Sequence, residues 1–233
     1  VKLFLDTANL DEIREVHAWG VLAGVTTNPS LIAKEGKDFV ETVHQICEIV
    51  KGPVSAEVVA QDVDGMVREG RLLARIHEHV IVKVPLTEAG LGACRQMSAD
   101  GIKVNVTLCF QPAQALLAGL AGATYISPFI GRVDDISWDG IELIRQIVDI
   151  YRQSADIDTQ VLAASLRHPM HVVQAAIAGA DVGTAPYSVL KAAIKHPLTD
   201  SGNKKFLQDW EKVPDRDITR LVERWLAKHS TAH

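Results

Sequence analysis

The chain has 233 residues, 47% of them hydrophobic and 23% charged, which is ample for a buried core and excludes a disordered or fibrous protein. Its 24 Lys and Arg stand against 29 Asp and Glu, a net charge of −5 with no long run of either sign, so a polyanion such as nucleic acid meets a repelling field and no basic stripe. Cys47, Cys94 and Cys109 are the only cysteines, too few and too scattered for a disulfide framework, and no apolar run approaches the ~18 residues that span a bilayer.

Short apolar, β-branched runs alternate with helical patterns along the chain. Strands are predicted at Leu3–Asp6, Gly24–Thr26, Val54–Val58 and Val80–Val84, then at Ile102–Thr107, Ala123–Ser127, Gln160–Ala164 and Ala180–Gly183. Such near-continuous apolar runs suit parallel strands covered on both faces. Between them, Val40, Val43, Cys47 and Val50 recur at helical spacing, as do Ile141, Ile144, Val148 and Tyr151. Eight strand–helix units in this length predict an α/β chain folded as a single (β/α)₈ TIM barrel over 1–233. A doubly wound sheet would call for Gly-x-Gly-x-x-Gly after the first strand, and Asp6-Thr7-Ala8-Asn9 is not that. After Trp210 a tail, 211–233, carries Ile218, Leu221, Val222, Trp225 and Leu226 on one helical face, with Asp215 and Asp217 at its start and Lys228 near its end; this predicts an extra C-terminal helix whose apolar stripe needs a surface. The opening run reads as a strand rather than a targeting segment, and with the free thiols this makes the expected location cytoplasmic.

Chemistry in a barrel gathers at the C-terminal ends of the strands. Here those ends carry Asp6, Thr26 to Asn28, Glu57, Lys83, Asn105 with Thr107, Ser127 to Arg132, and Ser165 with Arg167. Lys83 stands inside Val80-Ile81-Val82-Lys83-Val84-Pro85, where an ordinary lysine is rare. Burial there favours the free amine, which can attack a carbonyl and form a Schiff base; the alternative is a structural lysine paired with Glu57 or Asp6. Asp6 could instead cap the helix that follows, whereas Glu57, between Ala56 and Val58, has no such role open. Two carboxylates near a lysine are the minimum set for moving protons in carbonyl chemistry. Arg132, Ser165 and Arg167 at late strands look like a phosphate clamp, the alternative being surface ion pairs with Asp134 or Asp135. His77 with His79, and His168 with His171, form no three-ligand metal set and read as solvated or capping side chains. Gly90-Leu91-Gly92 lacks the lysine of a P-loop.

The combined segments Leu3-Phe4-Leu5-Asp6-Thr7-Ala8, Gly24-Val25-Thr26-Thr27-Asn28-Pro29-Ser30-Leu31, Val82-Lys83-Val84-Pro85 and Asn105-Val106-Thr107-Leu108, with Ser127-Pro128-Phe129-Ile130-Gly131-Arg132 and Ala163-Ala164-Ser165-Leu166-Arg167-His168-Pro169, resemble the transaldolase family, in its short-chain branch near fructose-6-phosphate aldolase. The match runs from the N-terminus to about Trp210. The resemblance implies that Lys83 attacks C2 of a ketose phosphate and becomes the Schiff base. It also implies that Glu57, through a water held by Thr107, shuttles protons, and that Asp6 takes the C4 hydroxyl proton. Asn28, Asn105 and Ser127 would bind the dihydroxyacetone unit, and Arg132, Ser165 and Arg167 the phosphate. Thr26 belongs to the same mouth. No metal or organic cofactor is implied. The family's transaldolases carry Glu and Phe where its free aldolase carries Gln and Tyr; here these positions read Glu57 and Phe129. The expectation is therefore a transaldolase of the pentose phosphate pathway, acting on small sugar phosphates such as sedoheptulose 7-phosphate or fructose 6-phosphate, with no nucleic-acid or membrane partner. The alternatives are an aldolase using free dihydroxyacetone, and a non-catalytic sugar-phosphate-binding barrel. The family's habit of forming rings implies a homo-oligomer, a pentamer or decamer.

Overall fold

Alternating apolar strands and amphipathic helices must bury both strand faces, and the chain does so by closing its sheet. The computed structural model describes residues 1–229. Its first half runs β1 (Lys2–Asp6), α1 (Leu10–Ala18), β2 (Leu22–Thr26), α2 (Pro29–Glu35), α3 (Phe39–Val50), β3 (Val54–Glu57), α4 (Val63–Leu73), β4 (Val80–Pro85), α5 (Glu88–Ala99) and β5 (Val104–Cys109). It continues with α6 (Pro112–Leu120), β6 (Tyr125–Pro128), α7 (Ile130–Asp134), α8 (Gly140–Gln153), β7 (Gln160–Ala163), α9 (Pro169–Ile177), β8 (Val182–Ala185), α10 (Tyr187–Ile194), α11 (Pro197–Trp210) and α12 (Ile218–His229). The eight strands pair in sequence order into a closed parallel (β/α)₈ barrel. The predicted helical faces fall on α3 and α8; Ile141, Ile144, Val148 and Tyr151 are all buried, while Val40 points outward.

Three strands begin two residues later than their apolar runs suggest. Ile102, Ala123 and Ala180 each follow a glycine in the left-handed region, Gly101, Gly122 and Gly179. Their N–H groups bond back to Met97, Ala118 and Ala175 at 2.9, 3.2 and 3.1 Å. Each glycine's own N–H bonds back to Ser98, Gly119 and Ala176 in turn. This is the six-residue helix closure with an apolar residue after the glycine, so these residues end α5, α6 and α9 and do not start β5, β6 and β8.

Side chains alternate across each strand, and this sorts the barrel interior into layers. Leu5, Val54, Val82, Val84, Val104 and Val106 face the helices in the main core. Phe4, Ile81, Tyr125, Leu162 and Val182 face inward as a separate apolar cluster that fills the N-terminal part of the barrel. Phe4 fits because Gly24 has no side chain; a Cβ there would stand 2.5 Å from the Phe4 ring and 2.7 Å from the Pro53 carbonyl oxygen. Two residues further along, the inward positions turn polar at Asp6, Lys83, Ser127 and Thr184, while Ala164, the residue after β7, stays apolar.

Residues 1–192 and those from 193 onward make two compact units. The second contains α11, a helix the sequence patterns did not single out, and α12, which matches the predicted extra helix. Asp215, ahead of α12, pairs with Arg220 and Arg224 on it, and Ile218, Val222 and Trp225 are exposed. Residues 230–233 of the expected tail lie outside the described residues. No helix among the described residues is long and apolar enough to cross a membrane. All three cysteines are buried and free. Desolvation raises Cys47 and Cys109 to about 12 and Cys94 to about 11, so none is poised as a thiolate nucleophile.

Candidate active site

The polar layer above the apolar plug is built from three hydrogen-bonded groups. In the first, β3 and β4 pair Glu57 with Lys83 in register. Lys83 Nζ lies 3.1 Å from Glu57 Oε2, with the side chains only 7% and 15% exposed. Nζ also donates to the Thr27 carbonyl at 3.0 Å. In the second, Thr26 Oγ1 donates to Asp6 Oδ1 at 2.7 Å and lies 2.7 Å from Thr184 Oγ1. A hydroxyl has one proton, so Thr184 is the donor in that second contact. Burial raises the Asp6 carboxyl above the usual aspartate value, opposed by the Thr26 hydrogen bond and by the charge of Lys83. In the third, Asn105 on β5 accepts from Ser127 Oγ at 2.7 Å and donates to Ser55 Oγ at 3.0 Å.

These groups ring a cavity of about 140 Å³ at the C-terminal end of the barrel. Every residue assigned a role from the sequence lines it except Glu57, Asn105 and Arg167. Glu57 lies to one side, in direct contact with Lys83. Asn105 is fully buried behind Ser127. Thr107 Oγ1 is buried in the lining and has no hydrogen-bond partner among the described residues. Asp6 does not cap α1; the Asn9 side chain does. Asn28 reaches the cavity while its Oδ1 caps α2 through the Leu31 N–H.

The far rim joins β6 to β7. Arg132 is exposed, with its guanidinium 5.1 Å from the centre of the Phe129 ring. Ser165 lines the rim with a left-handed backbone, φ 59°. Arg167 points outward, half exposed, with Nη2 2.6 Å from Asp135 Oδ2, the ion-pair alternative weighed for it from the sequence. A second cavity is lined mostly by apolar groups such as Pro29, Ile32 and Leu72, with Glu57 at its edge and Glu69, which accepts from the Val59 and Ala60 N–H groups.

A family model described as Transaldolase/Fructose-6-phosphate aldolase matches residues 3–228. The chain belongs to the transaldolase/fructose-6-phosphate aldolase family. It is 58% identical to a probable transaldolase of Caldicellulosiruptor saccharolyticus, covering 93% of this chain and 100% of that protein. A probable transaldolase of Thermus thermophilus is also 58% identical, over 91% of this chain and 99% of its own. Among solved structures, orotidine 5'-monophosphate decarboxylase from Metallosphaera sedula aligns with a TM-score of 0.58 at 15% identity, covering 87% of this chain and 95% of that one, a likeness of fold alone.

Two polar residues at this family member's mouth were not singled out from the sequence: Ser55 and Thr184. Thr184 was missed because the predicted strand stops at Gly183, whereas β8 runs on to Ala185; it shares the interior face of Val182. Ser55 is two residues before Glu57 and so shares its face. Thr27 contributes a backbone oxygen, which no side-chain pattern signals.

The raised Asp6 carboxyl gives a signed expectation. A carboxyl whose folded value exceeds its unfolded one favours the folded state at low pH and loses that contribution as pH rises through the folded value. Asp6→Asn therefore unfolds at higher denaturant concentration than the wild type at pH 7, and the gap narrows as pH falls toward 4. Urea melts at several pH values check this; a gap independent of pH contradicts it.

Proposed function

We propose that this protein is a transaldolase that moves a dihydroxyacetone unit from a ketose phosphate to an aldose phosphate through a Schiff base on Lys83, in the pentose phosphate pathway. The observation that carries the reading is an interior lysine whose Nζ touches a carboxylate, opening onto a small polar cavity with a second, raised carboxyl across it.

Nζ attacks C2 after giving up a proton, and Glu57, 3.1 Å away, is the acceptor within reach. A N–C bond forms, the carbonyl oxygen becomes a hydroxyl, and it leaves as water once protonated, giving the iminium. Asp6 then takes the C4 hydroxyl proton. The C3–C4 bond breaks, its electron pair flows into the iminium, and the aldehyde departs, leaving an enamine on Lys83. An acceptor aldehyde reverses these steps. Thr107 Oγ1, lacking a protein partner, is suited to hold the water of the dehydration step. Ser127 donates its proton to Asn105, so its oxygen offers the cavity an acceptor for a substrate hydroxyl; in this reading Asn105 binds the three-carbon unit chiefly by fixing Ser127. Asn28 supplies a second contact. Arg132 and Ser165 bind the phosphate, and Arg167 joins them by exchanging Asp135 for that anion.

Transfer rather than release is supported by Phe129, which presents only a ring to the cavity, packed 5.7 Å from Phe110 centre to centre. A wall without a hydroxyl offers the enamine neither proton nor ordered water. The apolar stripe of α12 is assigned to a neighbouring copy in a homo-oligomer.

Lys83→Arg keeps the charge but forms no imine, and turnover falls by on the order of 10⁴-fold or more. Borohydride with fructose 6-phosphate labels the Lys83 peptide of the wild type, as read by mass spectrometry. Turnover retained in the variant, or an unlabelled wild type, refutes the covalent mechanism, and the second result leaves a binding barrel. Phe129→Tyr increases dihydroxyacetone release without an acceptor; rapid release by the wild type, equal to its rate with acceptor, identifies an aldolase instead. Removal of residues 211 onward lowers the mass in light scattering, and an unchanged mass separates the tail from assembly.

A further inference from the structure

His171, on α9, is almost fully buried, although its sequence context reads as solvated or capping. The capping role belongs to its neighbour: His168 is the N-cap of α9. The backbone N–H of Arg167 donates to His171 Nδ1 at 3.1 Å, so that nitrogen carries no proton and the ring's single N–H is on Nε2. Nε2 in turn lies 3.0 Å from Asp134 Oδ2 at the end of α7, and Asp134 Oδ1 accepts from the Gly140 N–H at 2.9 Å. The carboxylate thus fixes the tautomer, and the tautomer fixes the turn.

That turn is Ser165-Leu166-Arg167. Its other end is held by the Gly131 N–H, which donates to the Ser165 carbonyl at 3.0 Å, and its first residue carries the left-handed backbone that aims Ser165 at the cavity. A non-glycine residue holds that conformation only where the surroundings over-determine it. The charged and titratable groups facing the imidazole are Asp134, Arg167 and the His168 ring, whose centre is 3.7 Å away. Burial first, then His168, keeps His171 below its ordinary value against the pull of Asp134, consistent with a neutral ring.

We propose that His171 is a positioning residue for the anion-binding end of the cavity: through Nδ1 it locks the Ser165–Arg167 turn onto α7, and so sets affinity for the substrate's phosphate rather than the rate of carbon–carbon cleavage. The proposal rests on the phosphate reading given above for Arg132 and Ser165.

The test uses the full-length protein, with inorganic phosphate binding measured by calorimetry and steady-state kinetics on fructose 6-phosphate. His171→Leu removes the acceptor, and both the phosphate dissociation constant and KM rise about tenfold while kcat stays within about twofold. His171→Asn returns an acceptor near the Nδ1 position, and both constants return to within about threefold of the wild type. Unchanged phosphate affinity in His171→Leu, an equal loss in His171→Asn, or a fall in kcat alone overturns the proposal. If His171→Leu does not fold, Asp134→Ala at its partly exposed site carries the same test: it removes the acceptor that holds the tautomer, phosphate binding weakens, and wild-type affinity there overturns the idea. Arg132→Ala separates the two levels. If the wild type binds no phosphate, or binds it equally well in Arg132→Ala, the phosphate reading itself is wrong.

Discussion

Placing an ammonium and a carboxylate side by side where water is nearly excluded sets the terms for everything else at the mouth of this barrel. Losing Lys83 leaves the Glu57 carboxylate nearly buried without its partner, at a cost of about 3–5 kcal/mol. The pair is therefore kept only where neighbouring groups complete it. Lys83 needs the Thr27 carbonyl as well as Glu57, which ties the end of β2 to β3 and β4. Asp6, facing the same charge from β1, is anchored through Thr26 to Thr184 on β8. Thus polar contacts tie β1, β2, β3, β4 and β8 around one lysine, and their register is constrained by them as well as by the apolar core.

Much of this was legible because a barrel converts one-dimensional alternation into layers. Once Lys83 is placed inside, Ile81 must point inward below it and Val82 and Val84 outward, as found. The same rule brings Asn105 and Thr107 to one face of β5. What the sequence hid has identifiable causes. Apolar residues after helix-closing glycines look like strand starts, and this displaced β8 to end at Gly183, short of Thr184. Arg167 and Arg132 are equally basic in sequence; only the fold puts Asp135 beside one and Phe129 beneath the other.

Histidines illustrate the same limit in the opposite direction. His168 and His171 are three residues apart, a spacing compatible with a cap, a surface pair or a metal site. Burial distinguishes them: one is the helix cap and the other bridges a backbone amide to a carboxylate. The bridging role could not be assigned before α7 and α9 were placed together.

The apolar plug below the polar layer has a kinetic corollary. Phe4, Ile81, Tyr125, Leu162 and Val182 close the N-terminal end of the barrel, so the chamber has a single doorway. In the proposed transfer, a chamber closed at that end lets the acceptor in only by the path the first aldehyde leaves by. Whatever departs must clear the threshold before its replacement comes in, and two reactants that share this site necessarily alternate in time.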